Sequence, residues 1–127
     1  MTTFTPTSVI LYVTDVSAST AFYRQALGRE PLETYDDFTV FGVSDGVVIG
    51  LQTRDEIAPS AEGAPGSVEL SMSHATREEV DQLHRRWQKL GFPIALPPTE
   101  LDFGYTFVAA DPDGHRLRVC ATDTTDL

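Results

Sequence analysis

The sequence predicts an α+β fold built from two βαβββ modules, each with a cupped, mixed sheet. Strand and helix patterns follow in the same order in both halves of the chain, and the helix patterns end at Gly28 and Gly91. Each half also has an Asp-Gly turn before its last strand, at Asp45-Gly46 and at Asp113-Gly114. Self-similarity on this scale is typical of a repeated supersecondary unit.

The repeat also sets the domain boundaries that we expect. The modules cover about residues 7–53 and 66–121, and the linker between them is rich in Pro, Gly and Ala and has no periodicity. A chain of 127 residues is close to the commonest domain size. We therefore predict a single domain, residues 1–127, that contains both modules.

The elements of the first module follow from apolar periodicity, capping residues and turn residues. Thr14–Ser17 supply capping oxygens for the helix, and Gly28 ends it. The predicted elements are a strand at residues 9–13, a helix from Val16 to Leu27, the end of a short strand at 34–37, and a hairpin of strands 38–43 and 47–52.

The second module repeats this order. Thr76 and Glu79 have the spacing of a capping box, which predicts the start of the second helix. One face of that helix carries Val80, Leu83, Trp87 and Leu90. The predicted strands are a first one containing Val68, Leu70 and Met72, and three more at residues 92–96, 105–109 and 117–121.

Charge and composition narrow the function classes. The formal net charge of −10 disfavours polyanionic partners, and the chain has no basic run, so we expect no binding to nucleic acid. The apolar runs are too short for a membrane helix, and the first residues do not resemble a signal peptide. One cysteine, Cys120, allows no internal disulfide. We therefore expect a cytoplasmic protein that does not contact membranes.

Strand alternation predicts which side chains face away from the helices. In residues 67–73 the polar side chains stand at odd positions and the apolar ones at even positions, so Ser67, Glu69 and Ser71 face away from the second helix. In the last strand Arg116, Arg118 and Cys120 share that face. The repeat and hairpin pairing add Ser8, Ile10, Tyr12, Thr39, Phe41, Val43, Val48, Gly50, Gln52, Tyr105, Phe107 and Ala109.

This predicted face carries several aromatic side chains, which favours a concave, half-apolar pocket over a plain solvated surface. We call it the cup. Its predicted ligand-binding residues are Tyr12, Phe41, Gly50, Gln52, Glu69, Tyr105, Phe107 and Arg118. The aromatic members would supply stacking faces, although each of them also fits an ordinary core position. Gly50 would leave room for a planar ligand, or it marks a bulge or a close approach of strands.

Arg118 and Glu69 carry the most specific chemistry of the predicted cup. We expect Tyr105 and Phe107 to flank Arg118 across the hairpin. A guanidinium can bind a carboxylate through two hydrogen bonds and stack on a ring, so an aromatic acid would use both functions. Alternatively, Arg118 and Glu69 simply pair with each other. Cys120 fits a small filler of the cup better than a reactive thiol.

Two motifs resemble those of a known family. Residues 9–15, with Ala21–Tyr23 and Leu27-Gly28, resemble the opening signature of the glyoxalase/bleomycin-resistance/extradiol-dioxygenase superfamily, also called vicinal oxygen chelate proteins. Residues 111–119 resemble its closing signature. The resemblance implies paired βαβββ modules, a homodimer, and a ligand or metal in each cup.

Metal-dependent members of this superfamily use His and Glu ligands, which by this resemblance would stand at Ser8, Gly50, Ser67 and Arg118. These four residues are not a plausible ligand set, so we expect no metal and no other cofactor. Residues 103–120 particularly resemble phenazine-antibiotic-resistance proteins, although Gln52 replaces an expected aromatic residue. That resemblance implies a flat aromatic ligand held between aromatic side chains near the dimer interface, and it adds Phe103 to the predicted ligand-binding residues.

The sequence therefore favours metal-independent binding of a small aromatic natural product or antibiotic, with resistance by sequestration. One alternative is a metal-free isomerase or lyase that uses Glu69 as general base. Another is a metal-dependent lyase or dioxygenase whose ligands are displaced from the usual positions.

Overall fold

The computed structural model describes residues 3–122 and confirms the predicted α+β fold with two sheet modules. The chain divides between Gly63 and Ala64 into two compact units, named here the first unit and the second unit. Neither helix of the described residues is long and apolar enough to cross a membrane. The elements are β1 (Ser8–Val13), α1 (Val16–Leu27), β2 (Glu33–Thr34), β3 (Phe38–Ser44), β4 (Val47–Thr53), β5 (Glu69–Met72), α2 (Arg77–Lys89), β6 (Ile94–Leu101), β7 (Gly104–Ala110) and β8 (Arg116–Thr122).

The first unit has a four-stranded sheet in the order β1-β4-β3-β2, with α1 against one face. β1 runs parallel to β4, and the other pairs are antiparallel. The helix begins where predicted, because the Asp15 side chain accepts a hydrogen bond from the Ala18 N–H at 3.1 Å. It ends at Gly28, whose φ of 65° is the left-handed conformation that glycine adopts without strain.

The second unit has the order β5-β8-β7-β6, with β5 parallel to β8 and α2 packed on β7 and β8. Both hydrogen bonds of the predicted capping box form between Thr76 and Glu79. Trp87 anchors the helix to the sheet, with its ring 5.5 Å from that of Phe107 and 5.6 Å from that of Phe92. This apolar contact holds α2 on one face of the sheet and leaves the opposite face uncovered by the helix.

One strand is longer than predicted. β6 begins at Ile94 and continues through Pro97 and Pro98 to Leu101, whereas the sequence pattern predicts its end at Leu96. Proline cannot donate a hydrogen bond to a sheet, but it is tolerated on an edge strand, and β6 is the edge of its sheet. The extension pairs Leu101 with Gly104 and so forms a tight hairpin with β7.

Phe41 lies on the helix face of its sheet, so the prediction that it faces the cup is wrong. Near the Asp45-Gly46 turn, Ser44 stands opposite Val47, but an irregularity between Gly42 and Ser44 then shifts the register. Such a bulge reverses which side chains of the two strands share a face. Phe41 therefore joins the buried core of the first unit and is fully inaccessible to solvent.

Tyr105 and Phe107 also lie on the helix face, so the prediction for these two residues is wrong as well. Phe107 stands opposite Val119, a residue that packs toward α2. The neighbour of Arg118 across the hairpin is Val108 rather than an aromatic residue.

The turn between β7 and β8 causes this difference. The Asp111 N–H donates to the His115 carbonyl oxygen at 2.9 Å, so the turn contains three residues, 112–114. The predicted placement of Phe107 beside Arg118 requires a turn of four residues, 111–114, instead. Because the turn is one residue shorter, the register between β7 and β8 shifts by one residue, and every side chain of β7 changes face relative to β8.

Candidate functional site

The candidate site is a cleft of about 440 Å³ in the second unit. It lies on the sheet face that α2 leaves uncovered. Glu69, Phe103 and Arg118 are thus the predicted site residues that the structure brings together here. The cleft is lined by Glu69, Ser71, Ser73, Phe103, Arg118, Cys120 and Thr122.

Arg118 is the central charged group of the cleft. Its side chain is 17% exposed, and its Nε lies 3.1 Å from Glu69 Oε2. Its Nη1 donates to the Thr106 hydroxyl at 3.4 Å, and the guanidinium carbon stands 5.5 Å from the centre of the Phe103 ring. At that distance a guanidinium is attracted to the face of an aromatic ring. The Arg118–Glu69 pair that the sequence offered as an alternative is therefore present.

Strand alternation explains why Glu69 and Arg118 meet. β5 and β8 are parallel, with Ser71 opposite Arg118 and Glu69 opposite Arg116. Residues 69, 71, 116 and 118 therefore share one face. Because β5 is an edge strand, the Glu69 side chain remains 37% exposed, while Arg118 lies farther inside the sheet.

Phe103 reaches the cleft because of the extended hairpin. It occupies, with Asp102, the two-residue turn between β6 and β7. Gly104 follows with a φ of +147°, and a Cβ at that position would overlap the carbonyl oxygen of Ala121. A side chain is therefore not accommodated at residue 104, and this close approach of β7 to β8 positions the turn that carries Phe103.

Sequence reasoning assigned Ser71 and Cys120 to this face without counting them as ligand-binding residues, and it missed Ser73 and Thr122 altogether. Strand alternation could have found both, because Ser73 lies two residues beyond Ser71 and Thr122 lies two residues beyond Cys120. The Cys120 side chain is 2% exposed, as expected of a small filler. The missed hydroxyls give the cleft more hydrogen-bonding groups than the sequence predicts.

In the first unit, the predicted residues Tyr12, Gly50 and Gln52 share the face of the sheet opposite α1, as expected. The space beside Gly50 is filled, however, since a Cβ there would lie 2.6 Å from Ile10 Cδ1 and 3.0 Å from Phe38 Cζ. This arrangement corresponds to the close-approach alternative for Gly50 rather than to room for a planar ligand.

Tyr105 and Phe107, two of the three misplaced aromatic residues, have structural contacts instead. The Tyr105 hydroxyl donates to Asp81 Oδ1 at 2.6 Å, and this hydrogen bond raises the pKa of Tyr105. The guanidinium of Arg77 stands 4.3 Å from the centre of the Tyr105 ring. Phe107 packs edge-on against His84 and Trp87. Neither ring lies in the cleft.

Next to Phe41, Thr39 is buried and shows the same reversal of faces in the first unit. The hydroxyls of Thr20 in α1 and of Thr39 are hydrogen-bonded to each other at 2.9 Å. Phe41 and Thr39 thus both point toward the helix, and neither is available to a ligand on the opposite face.

His115 is a buried histidine that belongs to the β7–β8 turn. Its Nδ1 lies 2.8 Å from Asp111 Oδ2, and Asp111 Oδ1 accepts hydrogen bonds from the backbone N–H groups of Asp113 and His115. The hydrogen bond to Asp111 raises the pKa of His115, in opposition to burial, which lowers it. This pair holds the turn that sets the register of β8.

The four positions at which the resemblance would place metal ligands do not fit a metal in this chain. Within residues 3–122, no three His, Cys, Asp or Glu side chains are grouped closely enough to hold a metal ion. Ser8 and Ser67 offer only neutral hydroxyls, and Gly50 offers no side-chain donor. Arg118 places a permanent positive charge at the fourth position. These four positions therefore offer no ligand set for a metal ion.

Comparison with known proteins agrees with this architecture. Residues 5–119 match the family model described as Glyoxalase/Bleomycin resistance protein/Dioxygenase superfamily. The chain is 35% identical over 125 residues to the phenazine antibiotic resistance protein EhpR of Enterobacter agglomerans, an alignment that covers 95% of each protein.

Solved structures show the same fold. The solution structure of protein ATC0852 from Agrobacterium tumefaciens is 37% identical, with a TM-score of 0.81 over 96% of this chain and 100% of that one. A glyoxalase-related enzyme from Fulvimarina pelagi is 24% identical, with a TM-score of 0.79 over 91% of this chain and 86% of that one. The chain therefore belongs to the glyoxalase/bleomycin resistance protein/dioxygenase superfamily.

Proposed function

We propose that this protein binds a small, planar aromatic compound in the cleft of the second unit and confers resistance by sequestration, without a metal. The observation that carries the proposal is the grouping of Arg118, Glu69 and Phe103 at one cleft. The similarity to a phenazine antibiotic resistance protein, whose name describes resistance to a planar tricyclic antibiotic class, supports the same reading.

The dimensions and chemistry of the cleft support such a ligand. Its volume of about 440 Å³ lies within the range of small-molecule sites. The Phe103 ring offers a stacking surface, and Arg118 offers hydrogen-bond donors beside it. The hydroxyls of Ser71, Ser73 and Thr122 complete a polar wall that can orient a ligand.

The direct test is binding of phenazine to the untagged protein, measured by titration calorimetry and followed by mass spectrometry of the recovered compound. We expect one saturable class of site and a compound of unchanged mass. Conversion of phenazine to a new product would contradict sequestration and favour the metal-free enzyme. Affinity that depends on a bound metal would contradict metal independence.

A matched pair of variants locates the site. Phe103→Ala should weaken phenazine binding about 5- to 30-fold, because lost stacking and burial together amount to roughly 1–2 kcal/mol. Phe4→Ala removes a phenylalanine that is 88% exposed and should leave the affinity unchanged. Equal effects of the two substitutions would contradict a site at the second-unit cleft.

The superfamily resemblance and the charge support two further parts of this proposal. The resemblance supports a homodimer, and the net charge of −10, which repels polyanions, supports a protein that acts without nucleic acid. Light scattering coupled to size-exclusion chromatography tests the dimer. A monomeric mass at micromolar concentration would contradict it.

A further inference from the structure

Glu69, which pairs with Arg118 in the protein, is exposed to solvent and weakly held. Among the described residues, Glu69 makes one polar contact, from Oε2 to Arg118 Nε at 3.1 Å. Its side chain is 37% exposed and extends from the short edge strand β5. An ion pair that is this open to water is weak.

The Arg118 guanidinium is held more firmly and has unused capacity. Thr106 and the Phe103 ring restrain it, and its side chain is only 17% exposed. Glu69 uses Nε, whereas Nη2 has no protein acceptor among the described residues. A planar carboxylate can bind two N–H groups of a guanidinium at once, a stronger arrangement than the single contact with Glu69.

We propose that the cleft binds aromatic carboxylates through Arg118, and that Glu69 is a displaceable counter-ion of Arg118 that limits their affinity. The inference rests on the proposed function and names the ligand class for the same site. A ligand carboxylate takes the guanidinium through two hydrogen bonds, its ring packs on Phe103, and Glu69 turns into solvent.

Glu69 is more exposed than Arg118, and this difference favours the replacement of Glu69 by a ligand carboxylate. Glu69 regains hydration easily when it leaves, because it stands at the open edge of the sheet. Arg118 cannot do so and requires an acceptor in the cleft. A neutral aromatic ligand leaves the pair intact and gains only from stacking. Glu69 therefore competes with an anionic ligand and does not compete with a neutral one.

The test compares phenazine-1-carboxylate with phenazine-1-carboxamide, which has nearly the same shape and no charge. Titration calorimetry at low ionic strength is performed on the wild type and on Glu69→Gln. We expect Glu69→Gln to bind the carboxylate about 3- to 10-fold more tightly, since the competing ion pair is gone. The affinity for the carboxamide should change less than 2-fold.

Glu78→Gln is the matched control, because it removes the same charge from an exposed position on α2, away from the cleft. It should change neither affinity. The inference is overturned if Glu69→Gln binds the carboxylate no more tightly, if it binds both ligands more tightly to the same extent, or if Glu78→Gln has the same effect. If neither compound binds to the wild type, the proposed function fails, and the role of Glu69 fails with it.

Discussion

The same position of the two repeated sheets carries opposite chemistry. Gly50 in β4 and Arg118 in β8 both stand on strands that pair in parallel with the edge strand of their sheet. In the first unit, Ile10 and Phe38 close over Gly50 and leave an apolar surface. In the second unit, Arg118 holds Glu69 beside a cleft.

The two units show how a repeated backbone acquires one polar site. The strand order is the same in both units, and in each of them the edge strand pairs in parallel with its neighbour. The side chain on the inner strand decides whether its neighbours collapse together or remain apart. Arginine requires acceptors and so keeps polar groups around it, whereas glycine permits apolar side chains to fill the space.

The largest expected effect comes from removing an aromatic ring from the helix face. Phe107→Ala should lower the free energy of unfolding by about 3–5 kcal/mol, because it leaves a cavity beneath Trp87. Phe103→Ala, on the cleft face, should cost far less stability. Urea unfolding monitored by circular dichroism measures both. Equal losses for the two variants would break the distinction between a core face and a cleft face.

The second expected effect is on binding. Arg118→Ala should weaken an aromatic carboxylate such as phenazine-1-carboxylate by about 1.5–3 kcal/mol, the usual value of a hydrogen bond to a charged group. Arg116→Ala is the matched control, since Arg116 is an exposed arginine on the same strand and face. Titration calorimetry measures both affinities. Unchanged affinity in Arg118→Ala would remove this residue from the site.

The third expected effect tests the filled surface of the first unit. Gly50→Leu should destabilise the protein by about 1–3 kcal/mol, because the new side chain must displace Ile10 and Phe38. Combining it with Ile10→Ala should restore part of the loss, since the two changes compete for the same space. Strictly additive losses of unfolding free energy in the double variant would contradict this packing.

The smallest expected effect is a pH dependence of stability that arises from His115 in the β7–β8 turn. The Asp45-Gly46 turn of the first unit has no equivalent histidine. The pKa of His115 is raised in the folded state, so its stabilising effect is fully present below its unfolded pKa of about 6.5. That effect is lost as pH rises through the folded pKa.

Unfolding free energies of the wild type and of His115→Gln, measured from pH 5.5 to 9, check this prediction. The difference between the two proteins should shrink as pH increases. A difference that grows with pH would show that His115 is stabilised in its neutral form.

Much of the cleft was predictable because β5 and β8 alternate cleanly between polar and apolar residues. Alternation alone placed Glu69 and Arg118 on one face, and their contact follows from that placement. Phe103 was named from the sequence, but the turn that carries it depends on the continuation of β6 through Pro97 and Pro98. The two prolines argue against a strand in the sequence pattern, because a sheet accepts proline in this place only if the strand is an edge strand.

Sequence alone was enough to predict the repeated βαβββ order, the helix caps and the shared face of Glu69 and Arg118. These features depend on residues that are close in the chain or on a strand's own alternation. Only the tertiary structure decided the faces of Phe41, Tyr105 and Phe107. A bulge beside Gly42 and a three-residue turn at 112–114 each shift a register by one residue. Because side chains alternate with period two, one residue is enough to move an aromatic ring from the cleft to the core.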